Sequence, residues 1–468
     1  MCSLNSDLNF LYHINPDEWA FHGSLLRIKE GMLNLNPRLF YGTGFFNYGH
    51  LFFLLNFILT FPFLISENFE MAVIIPRIFS SISAVFSLIF INKIIKTKEN
   101  DLISFFSVLL LILLPAFWLN SIVFHPDWPY TLFIILSVYY LKLDNNQLGK
   151  NFNLSIVFFS ISFCLKLQAI IFVPIIILYA LRVSENHITR VRVLIKLFLF
   201  LIVARIVTNP YLLHPEGFES FIEGFVADMN SNKTNHGLGN TVDFYDKIML
   251  INNYYINCII LFITLSFYLF RGCFFKSSKL NFSIFSTVIL NLLYLLIFVN
   301  KAWQHYYLTL FVLFILLLSD ILSKSKYYKI IFSLIFLIQI NPIYGILKED
   351  ETLKGEHKLL KEDINMVTNW LKLGGINSNN TILIHGNISV KMDALNLNYK
   401  NIHRTWGSLD RKKITSYNNH DPGVPIIKDY ILIKNKLPAS FSEIFREVPD
   451  EFCVLNQNVK YILLKREN

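Results

Sequence analysis

Charged residues are scarce in this sequence: Asp, Glu, Lys and Arg make up only 16% of the 468 residues, whereas a typical soluble domain has about 25%. Hydrophobic residues make up 54%, with 45 Phe and 22 Tyr among the aromatics. This composition excludes an ordinary soluble protein and predicts a polytopic membrane protein. The net charge of +9 does not indicate nucleic-acid binding, because Lys and Arg of membrane proteins collect in cytoplasmic loops.

Cysteine is also rare, and its spacing fits neither a metal site nor a disulfide framework. The five cysteines are Cys2, Cys164, Cys258, Cys273 and Cys453. Three of them lie in or next to apolar runs, so we interpret them as inert. No signal peptide is expected, since the first long apolar run starts only at about residue 44. No internal repeat is visible, which weakens the case for an inverted-repeat transporter.

Long apolar runs fill the first three quarters of the chain. Measured against the roughly 20 residues that span a bilayer, they predict about 10–12 membrane helices, some of them short enough to merge or tilt. The runs cover residues 45–65, 71–95, 102–119, 128–143, 154–165, 169–181, 193–207, 248–270, 282–299, 306–322 and 328–346. The predicted fold is an α-helical polytopic membrane protein.

The composition becomes polar and mixed after Ile346, which predicts a small soluble α/β domain over residues 347–468. Residues 356–373 have helical periodicity, and residues 381–384, 430–434 and 459–464 have the pattern of strands. We therefore expect two domains. Residues 1–346 form the membrane domain, with 15–50 as its first external acidic loop, and 347–468 form an extracytoplasmic domain.

Basic residues predict the orientation, because they cluster at every second connection from the 71–95 run onward. The cytoplasmic clusters are Lys93/Lys96/Lys98, Lys142/Lys150, Arg182/Arg190/Arg192/Lys196, Arg271/Lys276/Lys279 and Lys324/Lys326/Lys329. The alternate connections, at 121–127, Lys166, 209–247 and 300–305, are then outside. The 209–247 loop supports this assignment, since its six acidic residues exceed its two lysines.

The 45–65 run decides on which side the N-terminal segment lies. A full crossing would place residues 17–18 in the cytoplasm, whereas a juxtamembrane or re-entrant segment leaves them outside. Gly42, Gly44, Tyr48, Gly49 and His50 at the start of the run fit an irregular segment better than a regular helix. We therefore favour the second alternative.

Pro16-Asp17-Glu18 places two adjacent carboxylates in a polar segment at the membrane edge. Placing an acidic residue beside a bilayer costs free energy, so such residues usually have a function. This position suits a general base or a cation ligand, while the ordinary alternative is the start of a helix. We identify no metal site; a divalent cation at Asp17 and Glu18 is the single cofactor option.

The other outer connections carry cations and aromatic residues. Each has an ordinary explanation, such as a proline turn, an aromatic belt or a snorkelling lysine. On one membrane face, however, they suit binding of a lipid-linked phosphate and activation of a hydroxyl. The candidates are Tyr48, Arg77, His125, Asp127, Lys166, Asn209, His236, His305 and Tyr306.

Several loose motifs follow one another from Asn15 to about residue 375. They are N-P-D-E-W, L-N-P-R-L-F, F-N-Y-G-H-L-F, P-R-I-F-S-S-I, F-H-P-D-W-P-Y-T-L-F, C-L-K-L-Q-A, N-P-Y-L-L-H-P-E-G-F with N-H-G, and H-Y-Y-L. In this order and spacing the chain resembles GT-C superfamily membrane glycosyltransferases. The type is glycosyltransferase family 39, related to protein O-mannosyltransferases and the lipid A aminoarabinose transferase.

The resemblance implies transfer of a sugar from a polyprenyl-phosphate donor to a lipid, glycan or protein acceptor. Transfer is by single displacement with inversion, on the outer face of a bacterial inner membrane. Asp17 would be the base with Glu18 beside it, and Arg77, Lys166 and His305 would bind the donor phosphate. The implied substrate-binding residues are His125, Asp127, Tyr48, Asn209, His236 and Tyr306.

The chain departs from the family in two places. Members usually have a membrane helix before the acidic loop, whereas only about fifteen residues of mixed character precede it here. Tyr48-Gly49-His50 stands where the family often has Tyr-Pro-Ser or Pro-Pro. A multipass transporter or flippase for a lipid-linked or anionic solute is the alternative function, and it predicts charges near mid-membrane on broken helices. A non-catalytic membrane scaffold is a third.

Overall fold

The structure is a computed structural model. It describes residues 16–42, 48–66, 68–96, 101–234, 242–274 and 278–385, and beyond these residues 390, 395, 402–405, 417–418, 421–425, 429–434, 452–457 and 461–466. The chain divides into two compact units. One contains residues 21–347, and the other contains residues 1–20 together with 348–468.

Helices account for nearly all regular structure up to residue 373. They are α1 (Pro16–Leu33), α2 (Pro37–Tyr41), α3 (His50–Ile65), α4 (Phe69–Ile95), α5 (Asp101–Leu113), α6 (Pro115–Ser121), α7 (Asp127–Leu143), α8 (Lys150–Leu165), α9 (Pro174–Val183), α10 (His187–Thr208), α11 (Pro215–Thr234), α12 (Phe244–Tyr254), α13 (Cys258–Phe274), α14 (Lys279–Ile297), α15 (Leu308–Leu322) and α16 (Tyr328–Leu373). Short 3₁₀ helices cover Leu167–Phe172, Pro210–Leu213 and Gln304–Tyr307.

Three of the described helical segments are long and apolar enough to cross a bilayer: Met71–Ile95, Lys279–Ile297 and Gln304–Leu322. Two bent pairs bring the number to five if each is one span; α5 and α6 meet at 67°, and α12 and α13 at 95°. Four shorter apolar helical segments cover His50–Ile65, Lys150–Leu165, Leu167–Val183 and Tyr328–Gln339. The prediction of a helical membrane protein is confirmed.

Two breaks in these helices have local causes. Pro115 begins α6, and its ring cannot continue α5, because proline lacks the amide hydrogen and restricts the residue before it. In the described part of the 45–65 run, the helix begins at His50. Tyr48 forms an antiparallel bridge with Lys166, and Gly49 has an extended backbone, so these two residues precede the helix as an extended segment.

The core of the 21–347 unit surrounds α15, whose residues are almost all buried. A helix that is apolar on every side is typical of such a central position. Pairs of small hydroxyl residues join neighbouring helices: the hydroxyl oxygens of Thr131 and Thr309 lie 2.5 Å apart, and those of Ser107 and Ser319 lie 2.6 Å apart. Small polar residues of this kind allow close packing of membrane helices.

The C-terminal unit contains a five-stranded sheet in the order β2-β1-β5-β7-β6. Its strands are β1 (Ile382–His385), β2 (Ile402–Thr405), β5 (Tyr430–Lys434), β6 (Phe452–Gln457) and β7 (Tyr461–Arg466), and β3 (Tyr417–Asn418) pairs separately with β4 (Asp421–Pro425). Strand β1 is parallel to β2 and β5, whereas β7 is antiparallel to β5 and β6.

The end of α16 covers one face of this sheet, where Val367 and Leu371 pack with Ile382 and Leu432. Alternate residues of the same strands form a second buried cluster, as the two-residue period of a strand requires. The predicted α/β character of this region is confirmed. Its extracytoplasmic location stays a prediction.

Candidate functional site

Asp127 is the first residue of α7, and its side chain is fully buried. Two side chains contact its carboxylate. Lys166 Nζ lies 2.6 Å from Oδ1, and His125 Nδ1 contacts Oδ2. A buried charge requires a partner of opposite sign, and the Lys166 ammonium supplies it. Asp127 therefore holds Lys166 and His125 in place.

Lys166 follows the last residue of α8 and has an extended backbone. Its bridge to Tyr48 continues through Gly49, whose amide donates to the Leu165 carbonyl at 2.9 Å. A Cβ at Gly49 would lie 1.5 Å from the Cys164 carbonyl oxygen. Glycine is thus required for the two chain segments to approach so closely.

Three tyrosine rings surround the Lys166 ammonium. Its Nζ lies 5.4 Å from the centroid of Tyr130, 5.6 Å from that of Tyr48 and 5.8 Å from that of Tyr306. Such distances are those of cation–π contacts, which stabilise a charge that has lost its water. The ammonium is therefore held by one carboxylate and three aromatic faces.

Two histidines complete the group. The rings of His125 and His305 have centroids 4.8 Å apart, and the Tyr48 hydroxyl lies 3.5 Å from His125 Nε2. Ser80 of α4 donates to the His125 carbonyl at 3.1 Å, which ties the 122–126 loop to that helix. We call His125, Asp127, Lys166 and His305, with Tyr48, Tyr130 and Tyr306, the Asp127 cluster.

Helix α1 contributes an aromatic side chain to the same region. The Phe21 ring lies 4.8 Å from that of Tyr48 and 5.4 Å from that of His125, measured between centroids. Phe21 is buried. The sequence does not mark Phe21 as a site residue, because nothing distinguishes it from the other 44 phenylalanines.

Among the described residues, His125, Asp127 and His305 could together hold a metal ion, since their ligand atoms lie within 4.8 Å of one another. Two imidazoles and one carboxylate suit zinc. Lys166, however, already occupies one oxygen of Asp127. A divalent ion would have to displace this ammonium or lie beside it, and like charges at such short range repel.

Arg77 is buried on α4. It lies one helical turn before Ser80 and Ser81, which contact the same connecting segment; Ser81 donates to the Ser121 carbonyl at 2.7 Å. Arg77 is therefore on the helix that borders the Asp127 cluster.

The remaining predicted site residues contact other parts of the chain or are not among the described residues. Asn209, at the end of α10, donates to the Tyr41 carbonyl at 3.4 Å. The side chain of Asp17 and residue His236 lie outside the described residues. Glu18 is buried and belongs to the unit of residues 1–20 and 348–468.

Arg205 is a further buried cation, whose depth could not be judged from the sequence. Its guanidinium carbon lies 5.7 Å from the Phe163 ring and 5.9 Å from the Phe221 ring. A Cβ at Gly49 would also come within 2.8 Å of its Nη1. Arg205 thus lies against the same extended segment that pairs with Lys166. One feature of the sequence could have identified Arg205: it lies four residues, or one helical turn, before the predicted site residue Asn209.

Comparisons with known proteins agree with this architecture. A family model described as dolichyl-phosphate-mannose-protein mannosyltransferase matches residues 53–214. The crystal structure of ArnT from Cupriavidus metallidurans bound to undecaprenyl phosphate has a similar fold, with a TM-score of 0.56 and 8% sequence identity. The structure of ArnT from Cupriavidus metallidurans in the apo state gives 0.54 and 10%. Each of the two structural alignments with ArnT covers 90% of this chain and 88% of the ArnT chain.

No curated protein matches this sequence significantly. At 8–10% identity the likeness to ArnT is one of fold. The resemblance to GT-C superfamily glycosyltransferases is nevertheless confirmed, because the family model and the fold agree. The chain thus shares the fold of ArnT, and its family match is limited to residues 53–214.

Proposed function

We propose that this chain, with its GT-C glycosyltransferase fold, moves a sugar from a polyprenyl-phosphate donor to an acceptor hydroxyl on the extracytoplasmic membrane face. One observation carries the proposal: the buried Lys166 ammonium is fixed by Asp127 inside a ring of three tyrosines. An ammonium fixed in this way can donate charge-assisted hydrogen bonds to a phosphate. The tyrosine rings can pack against the faces of a sugar. The ArnT structure of similar fold is bound to undecaprenyl phosphate, which supports a lipid phosphate as the donor group.

The cations stabilise the leaving group. An ammonium has three N–H donors, and the Asp127 contact uses one of them, so Lys166 keeps donors for a phosphate oxygen. Arg77 binds two further oxygens through its planar guanidinium, and His305 adds a third cation or donor. As the bond between the anomeric carbon and the phosphate oxygen breaks, its electron pair moves onto the phosphate. Fixed positive groups then stabilise the developing charge.

Asp17 acts as the base in this proposal, with Glu18 as its neighbour. It takes the proton of the acceptor hydroxyl while the hydroxyl oxygen attacks the anomeric carbon from the face opposite the phosphate, which inverts that carbon. The family resemblance supports Asp17 as the base. Its position in the first turn of α1 agrees equally with the ordinary role of an acidic residue at a helix start. The sugar and acceptor are bound by Tyr48, His125, Asn209, His236 and Tyr306.

The position of the charges favours an enzyme over a transporter. Asp127 begins α7, Lys166 follows α8 and His305 precedes α15. These groups therefore lie at helix ends. A transporter is expected to hold its solute near the middle of the membrane, on interrupted helices.

Sugar transfer in purified membranes tests the proposal. Radiolabelled sugars on a panel of polyprenyl phosphates are supplied to the wild type, to Asp17→Asn and to a matched control, Asp101→Asn. Asp101 is suitable because it is exposed and pairs only loosely with Lys96, at 3.4 Å.

We expect label in an acceptor fraction with the wild type and the control, and none with Asp17→Asn. Normal turnover by Asp17→Asn would exclude Asp17 as the base. If no donor gave label, the same membranes would be tested for movement of the lipid-linked sugar between leaflets. Such movement would favour the flippase alternative.

A further inference from the structure

A second cavity, of about 520 Å³, lies at the opposite end of α7 and α15 from the Asp127 cluster. Asp127 begins α7 and Lys142 lies near its end, so at 1.5 Å per residue the two regions are about 22 Å apart. The cavity is also bordered by the end of α4, the start of α14 and Tyr179 of α9. It shares no lining residue with the Asp127 cluster.

Two lysines give this cavity a positive charge. Lys142 donates to the Ile94 carbonyl at the end of α4. The Lys279 ammonium has no hydrogen-bond or ion-pair partner in the part of the chain that the structure describes, although the backbone carbonyl of this residue accepts from Ser283. Both belong to basic clusters that the sequence assigns to the cytoplasmic side, and the structure brings them together at one end of the helices.

The position of the Lys279 ammonium is electrostatically unfavourable. It is the first residue of α14, whose N-terminal end carries a partial positive charge. The first turn of α14 contains no acidic residue. Ser278 accepts from the Asn281 amide and so caps this helix without help from Lys279. Since no carboxylate compensates this half-buried ammonium, water or an anion from outside the chain must do so.

The nearby carboxylates are already engaged. Asp320, on the cavity wall, accepts from the Tyr268 hydroxyl at 2.6 Å and from Lys324 at 2.5 Å. Asp144 accepts from the backbone amides of Gln147, Leu148, Gly149 and Phe152 and from the Tyr179 hydroxyl. Neither carboxylate is therefore available to Lys279.

Asparagine amides supply neutral hydrogen-bonding groups beside the lysines. Asn145 and Asn146 line the cavity from a turn in which both residues have positive φ angles, 50° and 63°. The bonds to Asp144 hold this turn in place. Asn281 faces the same cavity from α14. A preset group of amide and ammonium donors suits the oxygens of a phosphate.

Serine hydroxyls and the engaged Asp320 carboxylate form a further polar part of the wall. The apolar part consists of Ile94, Ile95, Leu141, Leu280, Ile284 and Leu316. A cationic rim beside an apolar wall fits an amphiphile better than a soluble ion. We propose that this cavity binds the phosphate headgroup of an anionic lipid on the membrane face opposite the transfer site. Lys279 and Lys142 contact the phosphate, the asparagines bind the polar headgroup, and the apolar wall contacts the first part of the lipid chain. This inference does not depend on the proposed glycosyl transfer.

Native mass spectrometry of the purified full chain tests the site. The protein is incubated with dihexanoyl phosphatidylglycerol, with its phosphatidylcholine counterpart, or with phosphatidylglycerol plus an equal concentration of inorganic phosphate. Variants are Lys279→Gln and Lys142→Gln/Lys279→Gln. Lys329→Gln is the matched control, because Lys329 is exposed and does not line the cavity. Thermal unfolding of each variant shows whether it is folded.

We expect phosphatidylglycerol to bind in preference to phosphatidylcholine. The affinity should fall about tenfold in Lys279→Gln, the typical loss for one charge-assisted hydrogen bond, and further in the double variant, while Lys329→Gln matches the wild type. Equal binding by the wild type and a folded double variant would overturn the proposal, as would equal binding of the two lipids. Complete displacement by inorganic phosphate would assign the cavity to a free phosphate compound and overturn its assignment to a lipid.

Discussion

Lys166 and Asp127 form an ion pair that is almost completely removed from solvent: Nζ lies 2.6 Å from Oδ1, and the side chains are 5% and 0% exposed. One residue follows α8 and the other begins α7. The pair therefore joins two helix ends that are 39 positions apart in the sequence. Removing one partner of such a pair leaves an uncompensated charge in a region of low polarity.

Asp127→Asn should consequently lower both stability and activity. The variant leaves the Lys166 ammonium buried without its carboxylate, which typically costs about 3–5 kcal/mol of unfolding free energy. We expect an earlier thermal unfolding transition in detergent and loss of sugar transfer. An unchanged transition would contradict the burial of this charge.

Replacing both members separates stability from function. In Asp127→Asn/Lys166→Met no unpaired charge remains, so stability should return towards the wild-type value. Sugar transfer should stay absent, because the ammonium proposed to bind the donor phosphate is gone. Active double variants would show that Lys166 does not take part in the reaction.

Lys166→Ala should create a zinc site. The substitution frees one oxygen of Asp127 beside His125 and His305, and these three residues already have their ligand atoms within 4.8 Å. After exposure to zinc and dialysis, metal analysis should find about one equivalent in Lys166→Ala, and none in the wild type or in Lys166→Ala/His305→Ala. Retention of zinc by the wild type would mean that the ammonium and a metal ion occupy the site together.

Gly49→Ala should disrupt the Asp127 cluster through the backbone next to Tyr48 and Lys166. The new methyl would lie 1.5 Å from the Cys164 carbonyl oxygen, so the 48–49 segment must separate from residues 164–166. We expect loss of transfer and reduced thermal stability. Gly149→Ala is the matched control, since a Cβ there meets no atom within 4 Å, and it should behave like the wild type.

Tyr306 offers a test of the aromatic ring around Lys166. Tyr306→Phe keeps the ring face over the ammonium, whereas Tyr306→Leu removes it. A cation–π contact at a partly exposed site contributes about 0.5–1 kcal/mol, so Tyr306→Leu should weaken donor binding about two- to fivefold. Titration of the lipid donor at fixed acceptor measures this. An equal effect of both variants would assign the role to the hydroxyl instead.

The helices could be predicted from the sequence because a bilayer imposes a simple rule on apolar length. The run at 282–299 corresponds to α14, and the run at 71–95 ends with α4 at Ile95. The sharp bends were harder to foresee. The 95° turn between α12 and α13 lies inside the predicted 248–270 run, where Asn252, Asn253 and Asn257 interrupt the apolar residues. The size of such a bend depends on which neighbours each half packs against.

The composition of the Asp127 cluster was partly accessible from the sequence. His125, Asp127, Lys166 and His305 are polar residues at the ends of apolar runs, and that contrast made each of them visible. The pairing of Lys166 with Asp127, the third tyrosine at Tyr130 and the Phe21 contact depend on helix packing, which periodicity does not encode. The catalytic role of Asp17 stays a prediction.

The antiparallel bridge between Tyr48 and Lys166 has a consequence for biogenesis. At about 5–20 residues per second, the ribosome needs roughly 6–24 s to proceed from Tyr48 to Lys166. The Asp127 carboxylate is synthesised about 2–8 s before its lysine partner. A chain that ends between residues 127 and 166 therefore lacks both the cation of this ion pair and the residue that bridges to Tyr48.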